Sequence, residues 1–246
     1  VAPNQVIVSS QDNETLQSLK DQYAIRIADD NRQVAAEADI LFLAVKPNIY
    51  NVVIDEIKTT VKEKIVIVTI AAGKSLSDIE ERFGRKLKVV RAMPNTPALV
   101  GEGMTGICAN EVVNVAELTD VKNIFDSFGR SEMVSEYMMD AVTGVSGSSP
   151  ALVFMFIESL ADGAVRGGMP RQQAYKFAAQ AVLGSAKMVL ETGKHPGELK
   201  DMVCSPGGTT IEAVAELEKN GFRSAVISAV QTTIDKSIAM SKPKEN

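Results

Sequence analysis

The sequence contains no tryptophan, a single histidine and only two cysteines. The one histidine, His195, excludes a metal site built from several histidines, and it excludes a Ser-His-Asp triad unless that residue itself serves. Its place between Lys194 and Gly197 indicates a loop residue. Cys108 and Cys204 lie far apart without metal-type spacing, so we expect free thiols in a reducing cytoplasm.

Basic residues and long apolar runs are also scarce. The chain has 26 Lys and Arg against 31 Asp and Glu, and its net charge of −5 argues against nucleic acid as the main partner. The best apolar run, Ala151 to Ile157, stops at Glu158, well short of a bilayer span, so we expect no membrane partner. The length of 246 residues suits one large or two modest domains.

The first half of the chain alternates apolar runs with helical stretches. Because strands that are apolar throughout are buried on both faces, this pattern is typical of a doubly wound parallel sheet, here a Rossmann-like α/β domain over residues 1–135. Ligands of such sheets lie beyond the carboxyl ends of the strands. The predicted strands are 5–8, 39–45, 64–70, 88–91, 106–109 and 130–134.

The second half, from about Tyr137 onward, predicts helices only. One long helix carries Met138 and Val142 and continues to Val165, and others cover 171–191, 211–221 and 224–240. This half has little bulk of its own, so we expect an all-helical dimerisation and substrate domain, 136–246, that packs against a second subunit. The tail 241–246 is expected to fray.

The most informative motif is the run Cys-Ser-Pro-Gly-Gly-Thr-Thr from Cys204 to Thr210, which leads into a helix ended by Gly221. A helix start leaves backbone N–H groups unpaired and carries the positive end of the helix dipole. Two glycines let a ligand approach that backbone, and Ser205, Thr209 and Thr210 add hydroxyl groups. The pattern suits a carboxylate beside a polar ring atom, although a plain N-cap after a Pro-Gly turn gives the same letters.

The surrounding run, 196–218, resembles the signature of pyrroline-5-carboxylate reductase, which catalyses the last step of proline biosynthesis. The resemblance extends over nearly the whole chain and implies an intertwined homodimer, with a ring of dimers as a larger option. It also implies reduction of 1-pyrroline-5-carboxylate, a cyclic imine, to L-proline by NAD(P)H. The other matching motifs, in order, are Ala44-Val45-Lys46-Pro47, Ala71-Ala72-Gly73, Arg91 to Pro97, Asp140 to Gly144, and Ser146 to Ser148.

The resemblance implies roles for residues on the substrate side. Thr210, the candidate catalytic residue, would hydrogen-bond the ring nitrogen. Ser205, the backbone of Gly207 and Gly208, and Thr209 would hold the substrate carboxylate. An iminium is already electrophilic, so no strong catalytic acid is required and positioning supplies most of the rate.

The cofactor candidates follow strand ends. An acidic residue after the strand 5–8 would select NADH, whereas Ser9 and Ser10 accommodate a 2′-phosphate, which favours NADPH with NADH as the alternative, although Asp12 lies close. Asn31 matches an adenosine-side contact of the family and equally suits a helix cap. Lys46 could neutralise a phosphate or only flank a helix. Asn95 lies in a loop that flanks the nicotinamide in the family, or it could instead bond only to loop backbone. The remaining candidates are Ala44, Val45, Pro47, Ala71, Ala72, Gly73, Met93 and Pro94.

A dinucleotide-binding fold opens with a strand, a G-x-G-x-x-G turn and a helix, and by comparison with the family this segment is absent before Val1. We therefore expect an N-terminally incomplete fold, either because the sequence begins inside a longer protein or because the chain is truncated. Residues Gly101 to Gly106 fit the letters, but they follow a proline-rich loop and precede a β-type run, which favours a flexible loop. Two alternatives stay open: another Rossmann reductase, such as a 3-hydroxyacid dehydrogenase, and a non-catalytic chain that keeps the helical dimer.

Overall fold

A computed structural model describes residues 1–241, and the rest of the tail that was expected to fray lies outside the described residues. The chain forms two compact units. The first consists of Val1–Gly147 together with the chain from Thr233 onward, and the second is Ser148–Thr232. The proposed domains 1–135 and 136–246 stay predictions, because compactness does not test which segments fold independently.

The strands of the first unit form two sheets. Two short strands pair in parallel, and the other five form one sheet in sequence order. Within the larger sheet the first three strands are parallel to one another. The strands are β1 (Ile7–Val8), β2 (Arg26–Ile27), β3 (Ile40–Leu43), β4 (Val66–Thr69), β5 (Lys88–Met93), β6 (Gly103–Ala109) and β7 (Gly129–Met133).

Strand β6 departs from the all-parallel prediction, since it runs antiparallel to β5 and only β7 is parallel to it. A parallel connection requires a crossover of about a dozen residues or more, usually with a helix. Here the short segment 94–102 joins β5 to β6, so the chain turns back beside β5. The flexible loop predicted for Gly101 to Gly106 is wrong for residues 103–105, because the strand that was predicted from Gly106 begins at Gly103.

Helices cover both faces of the larger sheet, which confirms the doubly wound architecture. Ile67 and Val89 face one layer with Ile54 and Ile79, while Val68 and its neighbours face a second layer that contains Val121 and Phe125. Side-chain caps start α1, α4 and α5. The helices of this unit are α1 (Asn13–Tyr23), α2 (Asn31–Glu37), α3 (Tyr50–Ile57), α4 (Leu76–Phe83), α5 (Val115–Asp126) and α6 (Met139–Val142).

The single long helix predicted from Met138 to Val165 is wrong. A short 3-10 helix, Glu136–Met138, leads into α6, and a π-type turn, Thr143–Gly147, separates α6 from the next helix. The local residues explain the break, because glycine lowers helix propensity and Pro150 has no N–H to donate to the carbonyl four residues earlier.

The second unit is helical. The prediction missed α9, whose first turn is capped by the single histidine: Nδ1 of His195 accepts a hydrogen bond from the Gly197 N–H at 3.0 Å. His195 therefore lies in the loop that its sequence context indicated, and it also caps α9. The helices are α7 (Ser149–Arg166), α8 (Arg171–Thr192), α9 (Pro196–Val203), α10 (Thr209–Lys219) and α11 (Phe222–Ser241), and the last turns of α11 belong to the first unit.

The helical unit has a small core and a large exposed apolar surface. Its buried cluster consists of Ala161, Ala174 and Ala178 with a few half-buried neighbours. Large side chains point outward instead, for example Phe154 at 62% and Phe177 at 66% exposure. A surface of this kind in one chain indicates that something apolar covers it in the assembled protein.

One helical stretch, Glu136–Arg166, has the length and mean hydropathy (1.3) to cross a membrane, with 17% of its most apolar window buried. The expectation that no segment reaches this composition is wrong for these residues. The uninterrupted apolar run ends at Glu158, whereas mean hydropathy is averaged over a longer window that includes polar residues. Length and composition alone do not identify a membrane partner.

Arg91 is a buried cation on β5 with few partners. It is 5% exposed, and its Nη1 lies 3.4 Å from Oε1 of Glu136, which also accepts the Leu76 N–H at 2.7 Å. Within residues 1–241, the Nε and Nη2 groups of Arg91 donate no hydrogen bond. Burial, reinforced by the Glu136 carboxylate, raises the pKa of the Cys108 thiol to about 11, so Cys108 is a protonated free thiol at neutral pH.

The Glu136→Ala variant is expected to lose about 1–3 kcal/mol of unfolding free energy, because it leaves the buried guanidinium unpaired and removes the acceptor of the Leu76 N–H in the first turn of α4. Urea unfolding followed by circular dichroism measures the change. Glu136→Gln keeps an acceptor oxygen and should lose less. The exposed Glu132→Ala serves as the control and should stay within about 0.5 kcal/mol of wild type. Equal losses for Glu136→Ala and the control would contradict this assignment.

Candidate functional site

The parallel order of β3, β4 and β5 brings the turns after these strands to one edge of the sheet. Tyr50, which is 1% exposed, ties two of them together. Its hydroxyl donates to the Leu43 carbonyl at 2.5 Å and lies 3.0 Å from Oγ1 of Thr69. Burial raises the pKa of the Tyr50 phenol, so it remains protonated and serves as a structural pin.

The turn after β3 presents a cation to solvent. Ala44, Lys46 and Pro47 are exposed, while Val45 packs against the core. Pro47 begins a short 3-10 helix, and Lys46 holds its N-cap position with extended backbone angles. Within residues 1–241 the Lys46 ammonium has no ion pair, so its charge is available to a ligand.

The turn after β4 is enclosed by the C-terminal helix. Ala71 and Gly73 are buried and Ala72 is half-buried. Gly73 has φ +71°, and a Cβ on it would lie 3.1 Å from backbone and Cβ atoms of Met240 on α11. Both the left-handed backbone and the close contact require glycine here.

Asn95, after β5, is already engaged by the protein. Its Nδ2 donates to the Ser146 carbonyl at 3.0 Å, and its Oδ1 accepts the Met104 N–H at 2.9 Å. The Ser146 carbonyl is left without its helical partner because residue 150 is proline. The structure therefore favours the loop-satisfying role for Asn95, and its neighbours Met93 and Pro94 are buried and half-buried.

The serines after β1 meet the start of α2. The Ser9 hydroxyl donates to Oδ1 of Asn31 at 2.7 Å. Asp12, the nearby carboxylate, instead caps α1 by accepting the Glu14 and Thr15 N–H groups, and the hydroxyl of Thr15 also bonds it and lowers its pKa. Asp30, and not Asn31, supplies the side-chain cap of α2.

The entrance of α10 has no side-chain cap. Gly208 occupies the N-cap position, and in the described chain no hydrogen bond reaches the amides of Thr209, Thr210 or Ile211. Gly207 takes φ +66°, and the Ser205 hydroxyl lies where a Cβ on Gly208 would be, so a side chain at position 208 would require Ser205 to change rotamer. The helix start therefore keeps free amides beside hydroxyl groups, and its role as a ligand site rather than a plain N-cap stays a prediction.

The cofactor candidates all belong to the first unit and the substrate candidates to the second. Sequence reasoning missed Tyr50, Glu56 and Glu136, whose contacts join residues distant in the chain and leave no local motif. Within the described part of the chain, no group of three or more His, Cys, Asp or Glu residues is placed to hold a metal ion.

Comparison with known proteins gives two matching family models. Residues 136–240 match pyrroline-5-carboxylate reductase dimerisation, and residues 2–73 match NADP oxidoreductase, coenzyme F420-dependent. The dimerisation model covers the helical residues, in agreement with their exposed apolar surface. The chain therefore forms homo-oligomers.

Whole-chain relatives agree with these models. The pyrroline-5-carboxylate reductase of Escherichia coli strain K12 is 54% identical over 98% of this chain and 90% of the relative, and that of Synechocystis is 46% identical with the same coverage. The solved structure of the Coxiella burnetii reductase superposes with a TM-score of 0.91 at 35% identity, covering 98% of this chain and 90% of that one. The Plasmodium falciparum reductase, solved with NADP bound, gives 0.87 at 34% identity over 96% and 87%. This chain therefore belongs to the pyrroline-5-carboxylate reductase family.

Proposed function

We propose that this protein reduces 1-pyrroline-5-carboxylate to L-proline with NADPH as the reductant. The observation that carries the proposal is the uncapped start of α10, where free amides and hydroxyls suit a small carboxylate. Relatives of up to 54% identity that bear the reductase name support it. The 3-hydroxyacid dehydrogenase alternative lacks comparable support.

The first unit fits a phosphorylated nicotinamide dinucleotide. The Ser10 hydroxyl, which follows β1, has a proton free to donate to a 2′-phosphate, while the Ser9 hydroxyl donates its proton to Asn31 and offers only its oxygen. The carboxylate of Asp12, which would repel a 2′-phosphate, is turned into the cap of α1. Lys46 adds an exposed cation at the sheet edge, and the turn around Ala72 offers backbone without bulky side chains. We propose that Ser9, Ser10, Asn31, Lys46 and this turn hold the cofactor, with Ala44, Val45, Pro47, Ala71, Gly73, Met93, Pro94 and Asn95 shaping its crevice.

When bound, the cofactor supplies a hydride for the C=N bond of the substrate. The protein's task is to hold the imine in place. The free amides of Gly207 and Thr209, with the Ser205 hydroxyl, bind the carboxylate at the positive end of the helix dipole. The Gly208 N–H donates to the Ser205 carbonyl at 3.0 Å, so Gly208 contributes backbone without a side chain rather than a free donor. The Thr210 hydroxyl bonds the ring nitrogen and fixes the plane of the ring, so that orientation lowers the barrier.

An assay with pyrroline-5-carboxylate and NADPH tests this function directly. We expect NADPH absorbance to fall and chromatography to show L-proline in equal amount. A 3-hydroxyacid with NAD or NADP serves as the comparison and should give no turnover. Turnover of the hydroxyacid without turnover of the imine would overturn the proposal in favour of the other reductase class.

Thr210→Ala is expected to lower kcat/KM for the imine by about 10- to 100-fold, the worth of a hydrogen bond to a charged group. The NADPH dissociation constant should change little, because Thr210 and the proposed cofactor residues lie in different units. Thr210→Ser keeps the hydroxyl and should retain most activity, and the exposed Thr119→Ala on α5 controls for threonine loss in general. Wild-type turnover by Thr210→Ala would remove this residue from the mechanism.

We further propose that the oligomer is a dimer whose helical units intertwine and which assembles into a ring of dimers. An open apolar groove on the helical unit supports helix-to-helix pairing, since a second chain would bury it. Its lining comes from Phe156, Leu160, Ala181, Val182, Ser185, Ala186 and Val189.

Substitution on the exposed apolar surface of the helical unit, outside the groove itself, is expected to weaken the assembly. Phe154→Asp and Phe177→Asp each replace an exposed ring by a charge, which a subunit interface would have to bury. The rings of Phe154 and Phe177 are 62% and 66% exposed in the single chain. Light scattering behind size exclusion should show a smaller species at micromolar protein. The polar Gln173→Asp on α8 is the control and should leave the mass unchanged. Unaltered assembly in both phenylalanine variants would argue against pairing through this surface.

A further inference from the structure

Glu56, on α3, controls the orientation of the Asn31 amide. Oε2 of Glu56 accepts the Asn31 Nδ2 at 2.8 Å, and Arg32 Nε donates to the Glu56 backbone carbonyl at 3.3 Å. An ionised carboxylate only accepts hydrogen bonds, so it binds the NH₂ end of the asparagine amide. The oxygen end of Asn31 must then face the other way, toward Ser9.

This orientation determines what the Ser9 hydroxyl can offer. Its single proton is donated to Oδ1 of Asn31 at 2.7 Å, which leaves only lone pairs for another partner. Ser10 differs, because its oxygen accepts the Asp12 N–H at 3.1 Å and its proton is still free to donate. The two serines after β1 therefore present opposite hydrogen-bonding character.

The two nicotinamide cofactors differ at this point in the same way. A 2′-phosphate is an anion that only accepts hydrogen bonds, whereas a ribose 2′-hydroxyl can also donate. A Ser9 oxygen without a free proton suits the hydroxyl, and the negative charge of Glu56 disfavours the phosphate. Arg32, which is bound to the backbone of Glu56, supplies an opposing positive charge nearby.

We propose that Glu56 is a specificity-determining residue that acts through Asn31 and Ser9. It restrains the preference of the site for NADPH and allows NADH to compete. The inference rests on the proposed function, because it concerns the same cofactor site. Glu56 does not contact the substrate and is a positioning residue.

A purely structural role for the Glu56–Asn31 bond is the alternative, since it links α2 to α3. Those helices are already joined by buried apolar contacts, in which Val34 and Ala35 belong to the same core cluster as Ile54 and Ile57. The polar bond is therefore not needed to hold the helices together. A structural role would also affect both cofactors alike.

Two variants and two measurements test the inference. Glu56→Gln removes the charge but keeps an acceptor oxygen, and Glu56→Ala removes both. Calorimetry gives the dissociation constants of NADP⁺ and NAD⁺, and steady-state assays give kcat/KM for NADPH and NADH. We expect the NADP⁺ preference to rise at least about threefold in Glu56→Gln, from loss of one like charge, and further in Glu56→Ala. The kcat at saturating NADPH and the KM for the imine should not change.

The matched control is Glu63→Gln, which removes an exposed carboxylate before β4, at the opposite edge of the sheet from the proposed site. It should leave the cofactor ratio unchanged. An unchanged ratio in both Glu56 variants, or an equal loss of affinity for both cofactors with a lower Tm, would overturn the inference. Wild-type protein that binds both dinucleotides but does not reduce the imine would overturn the proposed function instead, while the binding ratio would still test Glu56.

Discussion

Parallel hydrogen bonding between β3, β4 and β5 is the constraint on which the first unit depends. It forces three successive chain reversals to the same edge, and the buried Tyr50 hydroxyl pins two of them against each other. The sheet hydrogen bonds and the Tyr50 hydroxyl together hold the backbone of this edge. An ordered edge of this kind suits a reaction whose barrier is lowered by orienting the cofactor and the substrate.

The fold could be predicted from sequence where periodicity decides it, and the Asp39 to Val45 run is one such case. The direction of β6 could not, because it depends on the length of one connection. The break at residues 143–147 has a local cause in its glycines and Pro150, but the bond of the freed Ser146 carbonyl to Asn95 joins distant segments and could not be predicted. The start of α10 could be predicted because its glycines and hydroxyl residues are consecutive in the sequence. The role of Glu56 could not, because it bonds Asn31 from a different helix and belongs to no sequence motif.

The helical unit buries small side chains and exposes large apolar ones, whereas the sheet unit buries large apolar side chains. Its buried cluster is made of alanines, while its phenylalanines and many of its leucines point outward. Small residues inside allow α7 and α8 to lie close together, and large residues outside supply the area that a second chain buries. Association that buries this surface would stabilise the unit further as the subunit concentration rises.

The passage of α11 from one unit to the other has a consequence for biosynthesis. Ser237 is 3% exposed and bonds Asp140 at 2.6 Å, and Met240 lies against Gly73, so both residues are structural parts of the first unit. A ribosome makes them only after the whole second unit has been translated. The nucleotide-binding half, although encoded first, must wait for the end of the chain before its last packing contacts form, which reverses the usual N-terminal-first order of domain maturation.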